Sequence, residues 1–185
     1  MKILIPSTLI MTLALGSCGL AEKKGESKAQ EVTFSALPKN DAEIANSMLT
    51  VNTEEMNLAK VGKEKAENSF VKNYAERMFE EHSHNNLLFQ KYTDEENMRP
   101  TETQSSEQIK YATEDRVEEL KKLTGTEFDK AFMNEQVSIH TKVLDKIEQN
   151  LIPNAGDDQL KAMLEQNRLK IRGHLNEAKE IRDSI

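Results

Sequence analysis

"EEMNLAKVGKEKAENSFVKNYAERMFEEH", residues 54–82, holds two helical patterns and the break between them. Ahead of the break, Leu58 and Gly62 continue a spacing of three and four that begins at Ile44, Met48 and Val51. After "ENS" (67–69) the spacing restarts at Val71, Tyr74 and Met78 and runs on to Asn85 and Phe89. That spacing puts the residues on one side of an α-helix. A link this short sets the two helices side by side and antiparallel. Each stripe is interrupted by one strongly polar residue, Glu55 in the first and His82 in the second.

The same patterning predicts the rest of the chain. The first two helices run about 41–67, capped by Asn40 or Asp41, and about 70–94, capped by Ser69. "TDEENMRPTETQSS" follows as a loop closed by Pro100. A shorter helix spans about 105–123, with Ile109, Ala112, Val117, Leu120 and Leu123 apolar. Gly125 ends it, and Thr126 is expected to cap a third main helix over about 127–151. That helix carries Met133, Val137, His140, Leu144, Ile147 and Leu151 in register. After "IPNAGDD", a fourth covers about 158–183 with Leu160, Leu164, Asn167, Ile171, His174, Ala178 and Ile181. None of the four can bury its stripe alone. Packed together they bury all four, which predicts an all-α, up-down-up-down four-helix bundle over 40–185, with the short helix before the third main one.

Composition agrees. Gly (7) and Pro (4) are scarce, Trp is absent and charged residues make up 31% of 185, which suits helices rather than strands. A net charge of −7 argues against nucleic acid, whose phosphates need clustered Lys and Arg.

Three of the four histidines fall on predicted seams: His82, His140 and His174. Glu55 falls on the remaining one, and an isolated buried carboxylate is costly unless it is paired, protonated or metal-bound. Counted from the helix-joining turns, Glu55, His82 and His140 are each about 13–14 residues deep, so they stand level within a turn. His174, about 20 residues past Asn154, is expected one to two turns deeper, with Asn167 nearer the level of the others. Three imidazoles and a carboxylate suit Zn, Fe, Mn or Cu. The other reading is a hydrogen-bonded polar layer that fixes packing and holds no metal. His84, about 200° round the helix from His82, is expected in solvent.

The N-terminus carries other information. "MKILIPSTLIMTLALGSC" has a basic Lys2, an apolar run and then small residues, the pattern of a secretory signal over 1–17. "LGSC" resembles the lipobox of bacterial lipoproteins. That resemblance implies cleavage before Cys18, the chain's one cysteine, a lipid on its thiol, and residence outside the cytoplasm. Gly19, where Asp would favour the inner membrane, leans to the outer membrane. Residues 18–39 then read as the lipidated cysteine and a polar tether.

Three stretches, residues 54–82, "LTGTEFDKAFMNEQVSIHTKVL" (123–144) and "HLNEAKEI" (174–181), resemble a group of bacterial ferritin-like proteins. These are grouped as domain of unknown function 4142 and often described as outer membrane proteins. The resemblance reaches Glu55, His82, Phe128, Asp129, His140 and His174. It implies a ferritin-like bundle and leaves the function open. Glu81 stands where the group usually has Asp, and Phe132 where it often has Tyr. A di-iron carboxylate centre needs Glu-x-x-His on two helices. Only Glu81 and His84 have that spacing, with His84 on the wrong side, so no di-iron oxidase is expected.

Two classes remain. One is an envelope lipoprotein that binds a transition metal for storage, sequestration or redox protection. The other is a structural or interaction lipoprotein. Met48, Met78 and Met133 sit on inward stripes and read as core rather than copper ligands. No catalytic triad and no phosphate loop is legible.

Overall fold

The computed structural model describes residues 40–99 and 101–185. The expected signal, Cys18, the tether and Pro100 lie outside them. The described residues are helical and contain no strand. Five helices have 18 or more residues: α1 (Asp41–Lys65), α2 (Ser69–Glu95), α3 (Gln104–Lys121), α4 (Gly125–Lys146) and α6 (Asp158–Ser184). A π-helical turn (Ile147–Leu151) and a single turn, α5 (Ile152–Asn154), extend α4. The helix α1 packs on α2 and α3, and α4 packs on α6. No helix among the described residues is long and apolar enough to cross a membrane.

The ends follow local chemistry. Asn40 caps α1 by accepting from the Glu43 N–H at 3.0 Å. Asn68, not Ser69, caps α2, its Oδ1 accepting from Phe70 N at 2.8 Å and Val71 N at 3.4 Å. An amide oxygen one residue earlier reaches the free N–H groups that Ser69, already helical, cannot. The link between α1 and α2 is tied to α4 from outside: the buried Asp129 carboxylate accepts from Glu67 N at 3.2 Å and Asn68 N at 2.9 Å. Thr126 caps nothing. The chain turns one residue earlier, at Gly125 with φ +59°, which only glycine adopts without strain, and α4 begins there. The third main helix does not stay α-helical to 151. Pro153 has no N–H to give, and in a regular α-helix a proline ring would clash with the carbonyl four residues back, which fits the wider turn ahead of it.

The predicted stripes of α1, α2 and α6 are all buried. In α4 the inward face is rotated slightly. Phe132, Gln136 and Val143 are buried with Met133 and His140, while Val137 and Leu144 are only half-buried. At Gly62 the helices approach so closely that a Cβ would lie 2.6 Å from Phe132 Cζ and 2.7 Å from Ala75 Cβ.

The apolar core is in two parts. One holds Leu58, Val71, Tyr74, Met78, Phe132 and Ala178. The other holds Ile44, Met48, Phe89, Ile147, Leu160 and Leu164. Each of the four long helices contributes two buried polar residues to a layer between them: Asn52 and Glu55, His82 and Asn85, Gln136 and His140, Asn167 and His174. Ile171 is the one apolar core residue within these spans.

Candidate metal centre

The three seam histidines meet. The ring centroids of His82, His140 and His174 are 5.8, 5.5 and 5.3 Å apart pairwise. Each ring offers one nitrogen, and the three nitrogens lie within 4.8 Å of one another. On one tetrahedral ion at about 2.0–2.1 Å, nitrogen pairs would stand about 3.3 Å apart, so closure asks a contraction of at most about 1.5 Å.

His174 is therefore not deeper than its partners. Its expected offset was counted from Asn154, but Ala155–Asp157 cross between helices and add no rise, so α6 starts at Asp158. The remaining difference is about three residues, or roughly 4.5 Å. Side chains on a helix lean toward its N-terminus. On α4 that carries His140 away from the turn, and on the antiparallel α6 it carries His174 toward it. The two leans close the gap.

Each ring has one nitrogen held and one free. The Nδ1–H of His82 donates to Asn52 Oδ1 at 2.9 Å. The Nδ1–H of His140 donates to the Gln136 carbonyl at 2.9 Å. The Nε2–H of His174 donates to the Glu81 carboxylate at 2.9 Å. Carbonyl and carboxylate oxygens only accept, so these bonds set the tautomer and leave a lone pair on the other nitrogen. Those nitrogens, His82 Nε2, His140 Nε2 and His174 Nδ1, are buried and have no hydrogen-bond partner. Burial keeps the His82 and His140 rings neutral. It pushes His140 down to about 3, helped by His174, and holds His82 well below the usual imidazole range, helped by His140 and His174. Neutral imidazoles oriented by outer hydrogen bonds are the form that binds metal.

Glu55 is not in this convergent group. It is 2% exposed, and its Oε2 accepts from Gln136 Nε2 at 3.3 Å while Oε1 has no partner. Burial pushes its carboxyl up to about 8. Gln136 links it to the histidines, since its backbone carbonyl accepts from the His140 Nδ1–H and its Oε1 accepts from the Tyr74 hydroxyl at 3.4 Å. Asn167 joins from the far side: Asn85 donates to Asn167 Oδ1 and, at 3.4 Å, to the Asn52 oxygen that holds His82. His84 is exposed, as its helix position predicts.

Asn52, Gln136 and the pairing of Glu81 with His174 were not legible as site features. Gln136, four residues before His140 on the same helix face, was the available signal.

No curated protein matches the chain. A solved DUF305 fragment from Deinococcus radiodurans has a similar fold, with a TM-score of 0.69 at 16% identity over 80% of this chain and 99% of that one. The family model described as a domain of unknown function, DUF4142, matches residues 26–181, and the chain belongs to that family.

Proposed function

We propose that this protein is a lipid-anchored protein of the bacterial cell envelope, on the outer membrane. In this reading a ferritin-like, up-down-up-down bundle holds one transition-metal ion on His82, His140 and His174. The observation that carries the metal reading is the set of three buried imidazoles that converge to within 4.8 Å, each with one nitrogen held by an outer partner and one without a partner. A polar layer built only for packing would satisfy its own nitrogens, because each buried unpaired acceptor costs about 1–3 kcal/mol. Three protein nitrogens leave a fourth position for water or a small ligand. Glu55, expected as the fourth ligand, enters through Gln136 rather than as part of the three-nitrogen group. Imidazole donors suit Zn, Fe or Cu better than Mn. The lipid anchor rests on Lys2, the apolar run and "LGSC" ending at Cys18.

The amide chain Asn52–Asn85–Asn167 favours a second reading, a structural or interaction lipoprotein whose polar layer fixes packing alone. Metal analysis separates the two. Purified protein incubated with Zn, Fe, Mn or Cu salts and desalted should retain about one ion per chain of at least one metal. At a hundredfold excess over Kd, binding adds about 2.7 kcal/mol, which raises Tm by roughly 5–10 °C. His140→Ala should abolish both effects and His84→Ala neither. Sub-stoichiometric metal with every salt would leave the structural reading.

A further inference from the structure

The three histidines differ in how far they stand from solvent. His82 and His140 are each 1% exposed, and His174 is 8% exposed. His174 belongs to the seam between α2 and α6, which is laced by polar side-chain pairs: Arg77 with Glu177, Glu81 with His174 and Asn85 with Asn167. The α2 numbers rise while the α6 numbers fall, as antiparallel neighbours require. Glu81 and Glu177 are partly open to water, with side chains 44% and 39% exposed. From solvent to the His174 ring the path thus runs over a carboxylate and a hydrogen bond, with no apolar layer between.

The other approaches are less suited to a cation. Along the bundle axis an ion would cross one of the two apolar clusters, past Tyr74 and Phe132 or past Phe89 and Ile147. Stripping a hydrated ion there is costly. A crevice between α1, α3 and α4 leads toward Glu55 and is mostly apolar. Arg116 and Lys142 line it as well as Glu54 and Glu55, so it offers no net attraction for positive charge.

We propose that a divalent metal ion reaches the three-histidine centre across the α2–α6 seam. The carboxylates of Glu81 and Glu177 form an outer station from which the ion passes the His174 ring to reach its free Nδ1. This rests on the metal reading above. Arg77, one turn from Glu81 on the same face of α2 and paired with Glu177, is the group that must move aside. Carboxylates at a port raise the local cation concentration and the association rate, whereas an unpaired guanidinium there lowers both.

Stopped-flow loading of the full chain with Zn²⁺, followed by competition with a fluorescent chelator, tests the route. Arg77→Glu should speed loading by about three- to tenfold. Arg77→Glu with Glu177→Arg, which restores the pair, should return the rate to that of the unaltered chain. Glu81→Gln with Glu177→Gln should slow it. Lys142→Glu, which makes a similar charge change in the crevice, should leave it unchanged. Faster loading with Lys142→Glu but not with Arg77→Glu would place the route in the crevice and overturn the proposal. Normal Zn²⁺ affinity with rates indifferent to Arg77→Glu would overturn the route alone. No Zn²⁺ binding by the unaltered chain would overturn the centre and the route with it.

Discussion

Glu55→Gln should stabilise the metal-free protein, and by an amount that depends on pH. Glu55 is buried between the two halves of the core with one carboxyl oxygen bonded to Gln136 and the other bonded to nothing. Burial raises its folded-state value from the ordinary 4.5 to about 8. Below pH 4.5 the carboxyl is protonated in both folded and unfolded chains and costs nothing extra. Between 4.5 and 8 the unfolded chain releases the proton and the folded chain keeps it, so stability falls as pH rises. One pH unit is worth about 1.36 kcal/mol. At pH 7 the loss is therefore about 3 kcal/mol, and above pH 8 it levels off near 5 kcal/mol. Relaxation, or water reaching Oε1 from the crevice, would reduce both. Gln has nearly the same shape and no proton to lose. In urea unfolding with a chelator present, Glu55→Gln should match the parent near pH 4.5 within about 1 kcal/mol, exceed it by about 2–3 kcal/mol at pH 7, and exceed it further at pH 8.5. A difference that stays flat from pH 4.5 to 8.5 would mean that Glu55 is ionised and paired in the folded state, and the description of this layer would be wrong.

Asp129→Ala removes the buried carboxylate that holds Glu67 N and Asn68 N. It should cost about 2–3 kcal/mol in denaturant unfolding, because two backbone N–H groups lose a charged acceptor. A cost below about 0.5 kcal/mol would show that the α1–α2 link does not depend on α4. Gly62→Ala should lose about 1–2 kcal/mol, because the contacts of 2.6 Å to Phe132 and 2.7 Å to Ala75 outweigh the roughly 1 kcal/mol gained in helix propensity. A stabilised variant would show that Phe132 can give way.

Much of the helical layout was legible because apolar spacing is a local property. The stripes of α1, α2 and α6 came from intervals of three and four and are buried as read. The ends were less legible. Whether Asn68 or Ser69 caps α2 depends on which side chain reaches the free N–H groups, and Gly125 turns where Thr126 was expected to cap. The rotated face of α4 has the same kind of cause: Gln136 is buried because it bonds Glu55, Tyr74 and His140 at once, a gain no hydropathy pattern contains.

The sequence by itself placed His82, His140 and His174 on inward faces and His84 in solvent, because the direction of a side chain around a helix follows from its position number. It also singled out Glu55 as a buried carboxyl in need of a partner and expected it among the histidines. Only the tertiary structure decided the depth of His174, since that depends on where Ala155–Asp157 cross and on the opposite lean of side chains on antiparallel helices. Only it could set Glu55 beside Gln136 and give His82 and His174 their outer partners, Asn52 and Glu81. Hydrogen bonds between residues tens of positions apart depend on packing distances of a few tenths of an ångström, and periodicity along one helix carries no information about them.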